Sequence, residues 1–102
     1  MMIGKKLKNL FKDFIDSHND YQLVDIIIDY YDVIKTANIA LILLTEKDKE
    51  SFLLNKFDQC KKELSKVIDE SNLIKVQTYA YMVLSKEEVD KRYNGSYYYA
   101  MK

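Results

Sequence analysis

Apolar residues recur at helical spacing twice along this chain. Leu7, Phe11, Phe14 and Ile15 stand at i, i+4, i+7 and i+8, and Cys60, Leu64, Val67 and Ile68 repeat the pattern. Such a stripe is the buried face of an amphipathic helix, which predicts helices over residues 5–18 and roughly 50–70. Asn19 and Asn72 follow these helices, and asparagine readily takes the left-handed conformation beyond a helix end. From Leu23 to Ile34 the period changes to two. Val24, Ile26, Ile28 and Tyr30 share one face, while Asp25, Ile27, Asp29 and Tyr31 share the other. The β-branched run Ile26-Ile27-Ile28 favours strand over helix there. Ile39 to Leu44 is apolar on both faces, as in a central strand or a subunit contact. Leu73 to Leu84, rich in Val, Thr and Tyr, predicts another strand. Ser85 and Glu88 have capping-box spacing and predict a helical turn to about Arg92. Asn94-Gly95 is a hairpin signal that would deliver Ser96 to Met101 as a closing strand.

The two helical stripes lead into similar phrases, Phe14-Ile15-Asp16-Ser17-His18-Asn19 and Val67-Ile68-Asp69-Glu70-Ser71-Asn72. Once the second copy drops three residues, Leu23-Val24 aligns with Leu73-Ile74, Ile26 with Val76 and Tyr31 with Tyr81. This pattern is that of a diverged internal duplication. The expected fold is α+β: a single domain over 1–102 built of two tandem α-β-β motifs, 1–47 and 48–102, with two helices on one face of a four-stranded sheet. The alternative is a four-helix bundle in which residues 22–44 and 73–92 are helical.

A length of 102 residues suits one domain, and a hydrophobic fraction of 48% supplies a core and argues against disorder. Lys+Arg and Asp+Glu each number 16, so the net charge is zero. General electrostatic attraction to nucleic acid or to an anionic membrane is not built into such a chain. The longest apolar run, Ile39 to Leu44, is too short to span a bilayer, and an interrupted amphipathic pattern stands where a signal peptide would carry an apolar region. These features predict a soluble intracellular protein.

The chain has no proline, one histidine and nine tyrosines among many lysines and isoleucines. In that profile, over its whole length, it resembles the short orphan reading frames of viruses that infect thermoacidophilic archaea, such as the Acidianus filamentous viruses. The resemblance is compositional, carries no motif and assigns no residue a role. It implies a viral accessory or structural protein of the host cytoplasm rather than a metabolic enzyme.

Residue counts restrict the possible chemistry. One His and one Cys cannot make the usual Cys/His metal cluster. Cys60 lies on a core stripe and His18 at a helix end, so a nucleophile–base pair is disfavoured. With only Gly4 and Gly95, no glycine-rich phosphate loop exists. Asp25 and Asp29 on one strand face would stand about 13 Å apart, too far for paired acid–base work, and with Asp32 they read as a solvated edge. No enzyme, cofactor or metal site is expected.

The tyrosines carry the expected function. Tyr31, Tyr79 and Tyr81 would project from the sheet face opposite Val24, Ile26, Ile28, Ile74 and Val76, and Tyr97 and Tyr99 would share a face of the last strand. Tyrosine buries a large ring at small entropic cost and keeps a hydroxyl for hydrogen bonding. The expectation is a module that binds a protein or peptide in the groove between the two motifs, with a strand edge there open to an added strand. Homodimerisation through residues 39–44 or through the tyrosine face is a variant. Single-stranded nucleic acid stacking on the tyrosines is the alternative, weakened by the balanced charge and by Arg92 being the sole arginine.

Overall fold

A segment apolar on both faces must be covered on both, and residues 39–43 set the architecture for that reason, while Leu44 is exposed. A computed structural model describes residues 2–101. Its elements are α1 (Met2–Ser17), a 3-10 turn (Asn19–Tyr21), β1 (Asp25–Tyr31), β2 (Thr36–Leu43), α2 (Glu46–Asn55), α3 (Phe57–Ser71), β3 (Thr78–Ser85), α4 (Lys86–Tyr93) and α5 (Tyr97–Ala100). The strands form one sheet in the order β1-β2-β3. β1 and β2 make an antiparallel hairpin with Ile28 opposite Ile39, whereas β2 and β3 run parallel with Ile39 opposite Tyr81. Parallel pairing needs a long crossover, and α2 with α3 supplies it.

The pleat sends alternate β2 side chains to opposite layers. Ala37, Ile39, Leu41 and Leu43 enter a cluster with Leu7, Phe11 and Phe14 of α1, Phe52 of α2, and Cys60, Leu64 and Ile68 of α3. Ala40 and Ile42 enter a second cluster with Leu84 of β3, Val89 of α4 and Ala100 of α5. Every residue from Ile39 to Leu43 is at most 1% exposed. Burying each large aliphatic side chain contributes about 1.5–3 kcal/mol, so β2 is the energetic centre of the sheet.

Caps fix where the helices begin and end. Thr45 Oγ1 accepts the Asp48 N–H at 3.1 Å. Ser85 and Glu88 form the full capping box, with the Glu88 N–H on Ser85 Oγ at 3.0 Å and the Ser85 N–H on Glu88 Oε1 at 2.9 Å. Ser85 is completely buried, and its hydroxyl also reaches Glu46 Oε1 at 2.5 Å. Lys49 Nζ bonds Glu88 Oε1 at 2.8 Å. These contacts tie α2, β3 and α4 together. Burial opposes ionisation of Glu88, but hydrogen bonds from Lys49 and the Ser85 N–H outweigh it and hold the carboxyl below its ordinary range.

The structure corrects the expected four-stranded sheet of two α-β-β motifs. The class is α+β, yet the second half reads helix, helix, strand, helix, helix, and the sheet has three strands. Asn94 and Gly95 do adopt positive φ, 52° and 80°, but they close α4: the Gly95 N–H returns to the Val89 carbonyl at 3.0 Å. The left-handed geometry that suits a hairpin equally suits a helix C-terminus. Ser96 then caps α5, its Oγ accepting the Tyr99 N–H at 3.4 Å. Helices therefore lie on both faces of the sheet rather than on one. The sheet also excludes the four-helix alternative. The helix expected from about residue 50 starts at Glu46 and breaks at Lys56 (φ −132°), so that Phe52 is buried while Leu53 is 42% exposed. Because β2 has strand neighbours on both sides, it leaves no edge for the dimer contact expected through residues 39–44.

Replacing Ser85 by Ala removes a cap and a buried hydroxyl contact, and should cost about 1–2 kcal/mol in urea unfolding. A lowered carboxyl pKa gives stability that is fully present above the pKa of an unfolded glutamate and is lost as pH falls through the lower folded value. Denaturation midpoints at pH 7 and pH 3 should therefore differ less in Glu88→Gln than in the parent chain.

Candidate functional site

Central placement of β2 leaves β1 at the border of the sheet. Among the described residues, the strand pairs on one side only, with β2. Its alternation sends Ile26, Ile28 and Tyr30 toward the α1–α3 layer, and Ile27, Asp29 and Tyr31 toward the layer of α4 and α5. A depression flanks β1 on each of these sides. On the α5 side, a groove of about 400 Å³ is walled by Ile27, Asp29, Tyr31, Asn38, Tyr98 and Met101. On the α1 side, a groove of about 380 Å³ has Phe11, Ile15, Val24 and Ile26 in its walls, with Lys8, Lys12, Asp16 and Asp25 also lining it. The α5 groove exists because α5 is a single short turn. It covers Ala40 and Ile42 but stops short of the sheet's end, where Asp29 and Tyr31 are exposed.

Asp29 and Tyr31 act together. The Tyr31 hydroxyl donates to Asp29 Oδ2 at 2.8 Å, and that hydrogen bond and the carboxylate's charge raise the phenol above its ordinary value. Tyr31 therefore stays a neutral donor at any physiological pH. It uses one of roughly four acceptor positions on the carboxylate. Nearby, burial and then the charges of Asp25 and Asp90 raise the phenol of Tyr97. The charges that act on Tyr97 are both acidic, and no Lys or Arg lines the α5 groove.

The five tyrosines expected on a common open surface are separated. Tyr31 lines the α5 groove. Tyr79 and Tyr81 lie on the opposite face, stacked with centroids 6.0 Å apart beneath α3. The Tyr79 hydroxyl donates to Asp69 Oδ1 at 2.6 Å, and the Tyr81 hydroxyl shares a 2.7 Å hydrogen bond with Ser65 Oγ. Burial pushes the Tyr81 phenol up to about 12, and burial with the Asp69 hydrogen bond pushes Tyr79 higher still. The reason is a shift of parity. Ile74 and Val76 pack into the α1–α3 core from irregular chain ahead of β3, which starts at Thr78, so they do not set the strand's alternation. Both Gln77 and Thr78 N–H groups meet the Lys35 carbonyl, at 2.8 and 3.2 Å, and beyond them Tyr79, Tyr81 and Val83 face the core. Tyr97 is packed against the second cluster. Tyr99, two residues on in a helical turn, points elsewhere and is 62% exposed.

The residues the α5 groove adds are Asn38, Tyr98 and Met101. Tyr98 and Met101 are three apart, which puts them on one side of a helical turn. The spacing of Tyr97, Ala100 and Met101 also fits a helix, and that was the available signal. Cys60 and His18 form no reactive pair in this arrangement. The Cys60 thiol is fully buried, and burial followed by the Asp20 charge pushes it up to about 12. The His18 ring stacks on Phe14 at 4.2 Å, its Nδ1 lies 2.9 Å from the Phe14 carbonyl oxygen, and its Nε2 lies 3.4 Å from Glu63. Among the described residues, no helix is long and apolar enough to cross a membrane. Comparison of the chain with protein-family models, curated proteins and solved structures finds no match, so the functional reading rests on this geometry.

A thiol held in that state does not react as a thiolate. Ellman's reagent at pH 8 should leave the native protein untouched for hours and titrate one thiol per chain in denaturant. Rapid reaction of the folded protein would contradict the packing of α3.

Proposed function

We propose that the protein is a non-enzymatic interaction module that takes an extended segment of a partner protein along the outer side of β1. The observation that supports this most is the pair of grooves on opposite faces of one border strand. A strand added there would lie about 4.8 Å from β1 and send successive side chains to opposite faces. One groove would receive the even positions and the other the odd. Main-chain hydrogen bonds then supply affinity, while the grooves supply selectivity. The same edge can pair with β1 of a second copy, which is the form a homodimer would take. In keeping with its composition, the role suits a small viral accessory protein working in the host cytoplasm.

The nucleic-acid alternative gains no support from the tyrosines. Tyr79 and Tyr81 are covered by α3, and the exposed rings of Tyr31 and Tyr98 share their groove with the carboxylate of Asp29, which would repel a phosphate.

An array of ten-residue peptides biased toward β-branched residues tests the proposal when binders are titrated into isotope-labelled protein. Amide shifts should centre on residues 25–31, and N-methylation of alternate peptide bonds in a binder should abolish binding. No binder, or shifts centred on α3 and α4, would overturn it.

A further inference from the structure

The two grooves beside β1 differ in chemistry, and the difference specifies the partner segment. We infer that the segment carries a lysine or arginine that enters the α5 groove between Asp29, Tyr31 and Tyr98, with an apolar residue next to it entering the α1 groove. The inference rests on the edge-binding reading above.

Charge complementarity carries the argument. Asp29 takes part in none of the ion pairs among the described residues, which join His18 to Glu63, Lys35 to Asp32, Lys49 to Glu88 and Lys61 to Asp58. The Tyr31 hydroxyl neutralises none of its charge, and no cationic side chain lines the groove. The rings beside it are large and accessible: Tyr31 is 46% exposed and Tyr98 66%. A carboxylate next to tyrosine rings offers an ion pair together with cation–π contact, the combination that suits an ammonium or guanidinium group. The apolar stem of Lys or Arg would run over Ile27 and Met101. An acidic side chain would meet Asp29 with like charge. A neutral aliphatic one would gain the rings but leave the carboxylate's charge uncompensated.

The α1 groove calls for a different neighbour. Val24 in its wall is 45% exposed and Ile15 stands beside it, over the buried rings and chains of Phe11 and Ile26. Lys8, Lys12 and Asp16 line it with Asp25, whose charge also reaches Tyr97 on the other face, so no single charge dominates this groove. Adjacent residues of a strand point to opposite faces, which fixes the apolar residue beside the basic one. The recognised pattern is basic and aliphatic residues in alternation.

Three peptide pools with blocked termini test this on the full chain. Each is ten residues long, with Val, Ile, Leu or Thr at the flanking positions and Lys, norleucine or Glu fixed at the centre. Fluorescence anisotropy should show the Lys pool binding about tenfold more tightly than the norleucine pool, the size expected for one ion pair with an aromatic contact. The Glu pool should be weakest, and the Lys-to-norleucine ratio should narrow at higher salt. In Asp29→Asn, a nearly isosteric change at an exposed position, the ratio should approach one, and Tyr98→Ala should reduce it. Equal binding of all pools through β1 would overturn the charge inference while the edge reading stood. Absence of binding by every pool would overturn both.

Discussion

The coverage of β2 on both faces is the constraint that organises this molecule. Ile39 and Leu41 need a hydrophobic layer on one side, while Ala40 and Ile42 need one on the other. Two large helices, α1 and α3, meet the first requirement with broad apolar stripes. The second is met more sparingly, by Val89 of α4 and by α5, a turn of four residues. Removing the strand's side chains from water is the dominant favourable term available to a domain of this size. Sheet order follows, because only a central strand can be sheltered on both sides.

The candidate site arises from the imbalance between those layers. The α1–α3 layer covers most of the sheet and draws Tyr79 and Tyr81 beneath it. The α4–α5 layer covers only the end near Ile42, which leaves Asp29, Tyr31 and Asn38 around an open groove. With β2 enclosed, β1 has one side without a strand. Natural proteins commonly blunt such a border with charge or irregularity, and here the Asp25 carboxylate takes the Ile26 N–H at 2.8 Å near the start of the strand. The rest of the strand has no comparable protection among the described residues. The proposed binding role rests on this border strand and its two grooves, one carrying Asp29 beside Tyr31 and Tyr98, the other Phe11, Ile15, Val24 and Ile26 among charged side chains.

Much of this was legible in the letters. The stripes of α1 and α3, the two-sided run at 39–44 (buried as far as Leu43), the Ser85–Glu88 box and the left-handed Asn72 follow directly from side-chain period and cap chemistry. Two misreadings moved the site. Asn94-Gly95 demands positive φ, which two different structures satisfy, so the tail was expected as strand where it forms α5. Ile74 and Val76 are half-buried against the core without belonging to the ladder, so counting parity from them put Tyr79 and Tyr81 on the wrong face. The aligned pair Tyr31 and Tyr81 consequently lies on opposite sides of one sheet, and the apparent repeat does not survive as two equal motifs. Asp29 was read as a solvated edge, and it is exposed; the role proposed for it depends on Tyr98, which the turn at α5 brings to the same groove.

The central claim is that β2 is enclosed while the outer side of β1 is open. Amide hydrogen exchange on the free protein tests it residue by residue. The account predicts that amides of residues 39–43 exchange only through global unfolding, whereas alternate amides of residues 26–30 exchange orders of magnitude faster because antiparallel pairing turns every second N–H outward. Uniform protection of β1, equal to that of β2, would show that its border is already occupied and would contradict the account.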